Sequence, residues 1–195
     1  MTTMLRYRKI SPAPLETSFK TGLLAPHWRV EQGTKTIAEL QWVFADEADR
    51  AQMDQTAMVY AVEYWKPVAD GTDGGLFWGN STVYPGVVGE EFFMTRGHFH
   101  AVRDRGEFYV TVSGEGMLVL MDEQRLGQVQ AMKAGSTHYI AGRVAHRVVN
   151  TGDVPLTFLA CWPSDAGHDY AAIDEQGFSL RVMRRNGRVE VIAQR

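Results

Sequence analysis

Four side chains that could bind a metal ion lie in two separate stretches of the sequence. Gly97-His98-Phe99-His100 places two imidazoles two residues apart, Glu107 follows after six intervening residues, and His146 lies much further along in a strand-like run. Side chains of an extended chain alternate between two faces, so His98 and His100 are predicted to share one face. Imidazole and carboxylate ligands suit Fe(II), Mn(II), Zn(II) or Ni(II) and are poor ligands for Cu(I). The sequence therefore predicts a site for one divalent metal ion.

The residues that begin at Glu107 have the pattern of a strand that lines such a site. In the run 107–112, Glu107, Tyr109 and Thr111 alternate with apolar residues, so one face is polar and the other apolar. The glycine-rich stretch 113–116 separates this run from the apolar run Met117–Met121. Because glycine supplies the positive φ angles of tight turns, we expect the two runs to form a hairpin.

Each member of this set also has an ordinary interpretation when it is taken alone. The His-x-His pair could be a surface pair or two satisfied core residues, Glu107 an exposed strand carboxylate, and His146 a strand-edge histidine. These separate interpretations explain the complete set poorly. His27 and His138 lie outside it and are expected to be structural or surface residues, and the five tryptophans are expected to be packing residues.

Composition excludes several classes of protein. A chain of 195 residues is long enough for one good core and short for two. A net charge of −3 gives no basic surface for nucleic acid or an anionic membrane. Cys161 is the only cysteine, so no intrachain disulfide can form, which agrees with a reducing compartment. No run has the length of a membrane-spanning helix and Met1–Lys20 lacks an apolar signal core, so we expect a cytoplasmic protein.

The elements that must position these side chains are mainly short strands. Residues 1–33 are interpreted as an irregular or short-strand arm. The apolar spacing in Thr34–Asp46, with Thr36 and Glu39 as a cap, predicts a short helix. Glu47–Gln55 is either a second helical turn or a loop. Beyond it, strands alternate with Gly, Asp and Asn turns, which is typical of an antiparallel sandwich or barrel. The predicted strands are Met58–Trp65, Leu76–Tyr84, Glu91–Thr95, Phe99–Val102, Glu107–Val112, Met117–Met121, Gly127–Met132, Thr137–Ile140, His146–Val149 and Leu156–Trp162, then a hairpin of Ser179–Arg184 and Arg188–Ile192 around Asn186-Gly187.

At the metal-site residues the chain resembles the cupin superfamily. Gly97–His100 with Glu107 and Gly114 is similar to the first cupin motif, and His146 with Asn150 to the second, although Arg143 stands where that motif usually has proline. Within the cupins, the chain most resembles the cupin-type glucose-6-phosphate isomerases best known from archaea. This closer resemblance covers roughly residues 35–192 and rests on Tyr84-Pro85-Gly86, Glu91–His100, Ala145–Asp153 and Asp165–Tyr170.

The resemblance implies a mainly β fold, a single-domain cupin built as an antiparallel β-barrel or jelly roll. Its expected parts are an N-terminal arm and short helix (residues 1–45), a barrel core (56–162) and a C-terminal loop and hairpin (163–195), with one or two short helices in all. It also implies one divalent metal ion per subunit, with Fe(II) as the first choice and Mn(II), Zn(II) or Ni(II) as alternatives. A homodimer is expected as well.

The resemblance also assigns roles residue by residue. The implied metal ligands are His98, His100, Glu107 and His146. The positions that match the sugar-phosphate site are Ser81, Thr82, Thr95 and Gly97 for the phosphate, and Tyr109, His168 and Tyr170 for the sugar chain. Tyr60 is a weaker candidate for the same pocket, and Trp162 stands where many relatives carry a tyrosine.

The implied reaction interconverts glucose 6-phosphate and fructose 6-phosphate, with Glu107 and His146 as the expected catalytic residues. A base, for which Glu107 is the first candidate, could move a proton between C2 and C1 through an enediol, or the metal could promote a hydride shift. The sequence does not choose between the two routes. Two other functions would use the same ligands, a metal cupin dioxygenase and a non-catalytic sugar-binding cupin, since one fold hosts many activities.

Overall fold

Antiparallel strands make up most of the computed structural model, which describes residues 11–194. The largest sheet has six strands, in the order β1-β2-β3-β11-β6-β9. Their bounds are β1 Val30–Thr36, β2 Met58–Trp65, β3 Leu76–Val83, β6 Glu107–Ser113, β9 Thr137–Ile140 and β11 Leu156–Pro163. This sheet carries Glu107 and the polar face that follows it.

Two smaller sheets complete the strand framework. The order is β10-β7-β8 in the three-stranded sheet and β13-β12-β5-β4 in the four-stranded sheet. Their bounds are β4 Val87–Val88, β5 Glu91–Phe92, β7 Glu115–Asp122, β8 Gly127–Lys133, β10 Val144–Asn150, β12 Leu180–Arg185 and β13 Arg188–Ala193. The helices are short: a 3-10 helix over Ala38–Leu40, α1 over Glu47–Gln52 and α2 over Ala171–Asp174. The expected mainly β fold with two short α-helices is confirmed. No helix within residues 11–194 is long and apolar enough to cross a membrane.

One cluster of buried apolar side chains joins the sheets. Phe158 of β11, Leu118 of β7 and Val182 of β12 are each at most 2% exposed, although they belong to three different sheets. Apolar area buried in this way is the main source of stability for such a framework. The scaffold that holds the polar site therefore consists of three sheets that share one apolar core, rather than one open sheet.

The glycine-rich turn after β6 does not form the predicted hairpin. β6 pairs with β11 and β9, whereas β7 pairs with β10 and β8, so the chain crosses between sheets at Gly114. Gly114 has a φ of +79°, and a Cβ there would lie 2.7 Å from the Cα of Leu156. Glycine is thus needed for a sheet crossover, whose local signal is the same as that of a hairpin turn.

The predicted helix over Thr34–Asp46 is wrong except for one short turn. Residues up to Thr36 belong to β1 and pair with β2, and only Ala38–Leu40 is helical, as a 3-10 turn. Half of the predicted cap forms: the Glu39 carboxylate accepts hydrogen bonds from the Thr36 N–H (3.0 Å) and hydroxyl (3.1 Å), but no side chain caps an N–H of the 3-10 helix. These hydrogen bonds lie where β1 ends and a single 3-10 turn begins. Apolar spacing alone cannot distinguish such a turn from the start of a longer helix.

Other predicted elements have mixed outcomes. The Asn186-Gly187 hairpin is confirmed, with both residues at positive φ as a two-residue turn of this kind requires. Phe99–Val102 is not a strand; Phe99 makes only an isolated bridge, to Asp169. The arm forms one bridge between Thr17 and Leu24, and its first ten residues lie outside the described part of the chain.

Candidate active site

The two-histidine segment lies beside the strand that carries the third histidine. His98 and His146 exchange backbone hydrogen bonds of 3.3 Å and 3.1 Å, and the Thr95 N–H donates to the Val148 carbonyl at 2.9 Å. This pairing brings His98, His100 and His146 to one face. Glu107 is the first residue of β6 in the six-stranded sheet, and its side chain lies beside the three imidazoles.

The four predicted ligands converge as a metal site requires. One candidate ligand atom from each of His98, His100, Glu107 and His146 lies within 4.8 Å of the other three. Glu107 Oε1 is 2.6 Å from His146 Nε2 and 3.4 Å from His100 Nε2. Both Glu107 Oε1 and His146 Nε2 are buried without a hydrogen-bond partner, which is costly unless a cation lies between them.

Backbone carbonyls hold two of the imidazoles in the orientation that ligation needs. His100 Nδ1 lies 2.7 Å from the Arg105 carbonyl, and His146 Nδ1 lies 3.2 Å from the Val144 carbonyl. A proton on each Nδ1 leaves the Nε2 lone pair free and directed at Glu107, the usual outer-sphere arrangement around a metal-binding histidine. The residues therefore fit a divalent metal bound by three nitrogens and one carboxylate oxygen.

Burial and neighbouring groups shift the pKa values of His98 and Glu107 in the directions that metal ligation needs, whereas burial lowers the pKa of His100 and the adjacent Glu107 carboxylate outweighs this and raises it. Burial lowers the pKa of His98 well below its usual range, and the nearby His146, His168 and His100 lower it further, so its imidazole stays neutral. Burial raises the pKa of the Glu107 carboxyl, but the adjacent His146 and His100 outweigh this effect and lower the value to about 2. Ligand nitrogens without a proton and an ionised carboxylate are the forms that bind metals.

These ligands lie in a cavity of about 510 Å³ that opens to solvent. Six of the predicted substrate residues line it: Ser81, Thr95, Gly97, Tyr109, His168 and Tyr170. Tyr60 lines it as well, and burial raises the pKa of its hydroxyl to about 12. Burial also raises the pKa of Tyr109, whose hydroxyl faces Glu107, well above its usual range. Both phenols are thus held neutral, as hydrogen-bond donors.

Thr82 is the one predicted substrate residue that the structure does not bring to the cavity. It follows Ser81 in β3, and consecutive residues of a strand point to opposite faces. Its hydroxyl lies 3.0 Å from the Thr157 hydroxyl on the neighbouring strand β11. Only one of the two adjacent hydroxyls can therefore face the ligands.

The segment that carries His168 and Tyr170 is fixed beside the candidate metal ligands. The His168 ring centroid lies 4.3 Å from that of His98, and the His168 and Tyr170 rings stack at 5.7 Å. Asp169 anchors the segment, since its N–H donates to the Phe99 carbonyl at 2.8 Å and its carboxylate accepts from Arg103 at 2.5 Å. Burial lowers the pKa of His168, so its imidazole is neutral near pH 7 even though the open cavity leaves it in contact with solvent.

Several cavity residues were missed at the level of sequence. Lys35 lines the cavity from the end of β1, which the sequence pattern predicted as helix. Glu63 and Asn80 line it from β2 and β3, with a hydrogen bond of 2.7 Å between their side chains. Strand alternation could have found Asn80 only if the inward face of β3 had been known. Lys66 lies at the opposite rim, over the rings of Tyr64 and Phe77.

Two departures from the cupin pattern have structural explanations. Arg143, in the position usually held by proline, has a φ of +63° and donates its N–H to the Arg103 carbonyl at 2.6 Å. Proline has neither that φ nor an N–H, so this turn could not accept it. Trp162 lines the cavity and packs edge-on against Phe77, with ring centroids 6.0 Å apart, where a tyrosine would present a hydroxyl.

The antiparallel sheets and the four converging ligands define the class of this protein, a cupin with one potential metal centre of three histidines and one glutamate. Its family follows from comparison with known proteins. The family model described as glucose-6-phosphate isomerase (GPI) matches residues 34–194, and the chain belongs to that family.

Curated relatives agree over nearly the full length. The glucose-6-phosphate isomerase of Pyrococcus horikoshii is 35% identical over 93% of this chain and 94% of its own. That of Thermococcus litoralis is 34% identical over 96% of each chain. Among solved structures, oxalate decarboxylase from Bacillus subtilis superposes with a TM-score of 0.43 at 23% identity, over 56% of this chain and 26% of that one.

Proposed function

We propose that this protein is a metal-dependent isomerase that interconverts glucose 6-phosphate and fructose 6-phosphate. The observation that carries the proposal is the convergence of three imidazoles and one buried carboxylate inside a polar cavity, in a chain of the glucose-6-phosphate isomerase family. The cavity volume of about 510 Å³ falls within the usual range for sites that bind small molecules.

The roles of the cavity residues follow from where each lies. Thr95 and Gly97, next to the ligand segment, offer a hydroxyl and a backbone N–H to the phosphate, with Ser81 across the cavity. Tyr109, His168 and Tyr170 would line the sugar chain, and all three keep uncharged side chains that can donate or accept hydrogen bonds.

The bound ion, for which we propose Fe(II) first and Mn(II), Zn(II) or Ni(II) as alternatives, would polarise the substrate carbonyl. Glu107 is the proposed base that moves a proton between C2 and C1, and His146, whose Nε2 lies 2.6 Å from the Glu107 carboxylate, would bind the same ion. If Glu107 carries the proton, reaction in D₂O introduces deuterium at the carbon that receives it. A hydride shift would leave the product free of solvent deuterium.

The deciding experiment is a coupled assay that supplies fructose 6-phosphate to metal-stripped protein and follows glucose 6-phosphate. We expect no turnover without metal, restoration by Fe(II) or another divalent ion, and loss of activity in His146→Ala. His27→Ala is the matched control, because His27 lies in the N-terminal arm, stacks on Trp28 and does not line the cavity.

Failure of every added metal to restore turnover, in protein shown to be folded and metal-loaded, would contradict the proposal. The same samples would then be screened for oxygen uptake, the activity expected of a cupin dioxygenase. Binding of sugar phosphate without turnover would instead indicate a non-catalytic sugar-binding cupin.

We further propose a cytoplasmic homodimer. Phe19, Trp28 and Trp42 are 73–80% exposed on the single chain, contrary to the expectation that every tryptophan packs internally. Contact with a second copy would remove such large apolar side chains from water, which is favourable. Sedimentation equilibrium is expected to give twice the chain mass, and a monomer at micromolar concentration would contradict this part of the proposal.

A further inference from the structure

A buried arginine lies directly behind the segment that is proposed to hold the phosphate. Arg147 is 4% exposed, and its guanidinium stacks over the Phe178 ring at 4.4 Å. Among residues 11–194 it forms no salt bridge. The carboxylate of Glu91 contributes to its electrostatic environment but is already bound by Arg181 at 2.8 Å and 2.9 Å. Its Nε has no hydrogen-bond partner within the same residues.

This arginine fixes the direction of one peptide group. Its Nη2 donates to the Arg96 carbonyl at 2.6 Å, and the 96–97 peptide is trans. The carbonyl and N–H of a trans peptide point in opposite directions. The Gly97 N–H therefore points away from Arg147 and has no acceptor among the described residues, and Gly97 itself lines the cavity.

The position next to this peptide shows how closely the segment is fitted to the arginine. Gly97 has a φ of +76°, and a Cβ there would lie 2.6 Å from the Phe178 ring and 2.9 Å from Arg147 Cβ. The preceding N–H, that of Arg96, faces the hydroxyl of Tyr60, another cavity residue. Two neighbouring N–H groups thus lie close to the cavity, with a buried positive charge behind them. This is a favourable setting for a dianion.

We infer that Arg147 is the positioning residue for the substrate phosphate. Its hydrogen bond to the Arg96 carbonyl orients the 96–97 peptide so that the Gly97 N–H faces the phosphate. Its positive charge, which no salt bridge neutralises within residues 11–194, favours binding of that dianion. The inference rests on the proposed isomerase function. It assigns the recognition of the phosphate charge to a side chain that does not line the cavity.

The test compares Arg147→Met and Arg147→Lys with wild type, as metal-loaded full-length protein. Four quantities are measured: KM and kcat for fructose 6-phosphate, the inhibition constant of inorganic phosphate, and that of sorbitol, an uncharged hexitol. For Arg147→Met, KM and the phosphate inhibition constant should both rise about tenfold, with kcat and sorbitol inhibition within about threefold of wild type. Arg147→Lys keeps the charge but loses the fork of donors, so a smaller rise of the same two constants is expected.

Arg184→Met is the matched control, because the Arg184 side chain is exposed, lies over the Phe92 ring at 6.0 Å and forms no salt bridge or hydrogen bond within residues 11–194. Unchanged KM and phosphate inhibition in both folded Arg147 variants would overturn the inference. So would equal losses for phosphate and sorbitol, since these would indicate a general distortion of the cavity. A wild-type protein that isomerises no sugar phosphate would instead refute the proposed function, so the two failures are distinguishable.

Discussion

At the scale of single residues, the sequence predicted the convergence of the candidate ligands more reliably than the positions of the groups around them. The four candidate ligands converge as predicted: His98, His100, Glu107 and His146. Three imidazoles and a carboxylate come this close only when the fold brings them together, so their combined pattern was a stronger signal than any one of them. The adjacent pair Ser81 and Thr82 was less predictable. In any strand only one of two neighbours faces inward, and the sequence does not say which.

One buried histidine outside the site gives a residue-scale prediction about pH. His138 Nδ1 lies 2.8 Å from Gln130 Oε1, and its Nε2 lies 2.8 Å from the Ser136 hydroxyl, so the neutral ring is satisfied on both sides. Burial lowers its pKa in the folded state. Below pH 6.5, His138 binds a proton in the unfolded chain but stays neutral in the folded chain. The free energy of unfolding therefore falls as the pH falls, by at most about 1.4 kcal/mol per pH unit.

Urea denaturation of wild type and His138→Gln between pH 7.5 and pH 5 measures this effect. We expect the variant to be less stable at pH 7.5 but to lose less stability than wild type as the pH falls. Parallel curves for the two proteins over this range would show that His138 does not titrate differently on folding.

At the scale of elements, strand positions were predictable and strand partners were not. The alternating runs gave β2 and β9 with their observed bounds, since the period of two is a local property. The pairing of β6 with β11, which comes more than forty residues later, depends on contacts that leave no trace in the turn between β6 and β7. For the same reason the predicted helix at Thr34 proved to be the end of β1, because pairing with β2 overrides local spacing.

The sheet crossover at Gly114 gives an element-scale prediction. Alanine there must adopt a φ of +79° with its Cβ 2.7 Å from the Cα of Leu156, whereas Gly135 has a φ of +86° with open space around it. We expect Gly135→Ala to cost about 1–2 kcal/mol of unfolding free energy, from backbone strain alone. Gly114→Ala should cost at least about 2 kcal/mol more, because the backbone of β11 must also move.

Chemical denaturation of the two variants measures both costs on the same scale. Equal costs for the two alanines would show that the crossover tolerates displacement and that only the left-handed backbone conformation matters.

At the scale of the whole molecule, the candidate metal centre joins elements of separate sheets. Glu107 belongs to the six-stranded sheet, His146 to the three-stranded sheet, and His98 and His100 to the segment between β5 and β6. A bound ion would therefore stabilise the packing of one sheet on another as well as serve the reaction. This coupling could not be predicted from the sequence, because the motif indicates which residues ligate but not which sheets they belong to.

Removal of metal should consequently lower the stability of the whole chain in a single transition. A metal present at one hundred times its dissociation constant adds about 2.7 kcal/mol to the unfolding free energy, and thermal melts with and without chelator should show a corresponding loss. Variant His146→Ala should melt at nearly the same temperature with or without added metal. A wild-type melting temperature that does not respond to chelator, with metal loss confirmed by elemental analysis, would contradict this coupling.

The position of β11 between β3 and β6 also affects the order in which the protein can be made. A ribosome has already released β3 and β6 when residues 156–163 emerge, and until then these two strands lack their common neighbour. Nascent chains shorter than about 160 residues therefore display unpaired strand edges, which are the surfaces that recruit other strands into aggregates. Because the chain crosses between sheets to assemble the site, the central strand β11 is made late in synthesis. Until β11 emerges, the nascent protein depends on rapid completion or on chaperones.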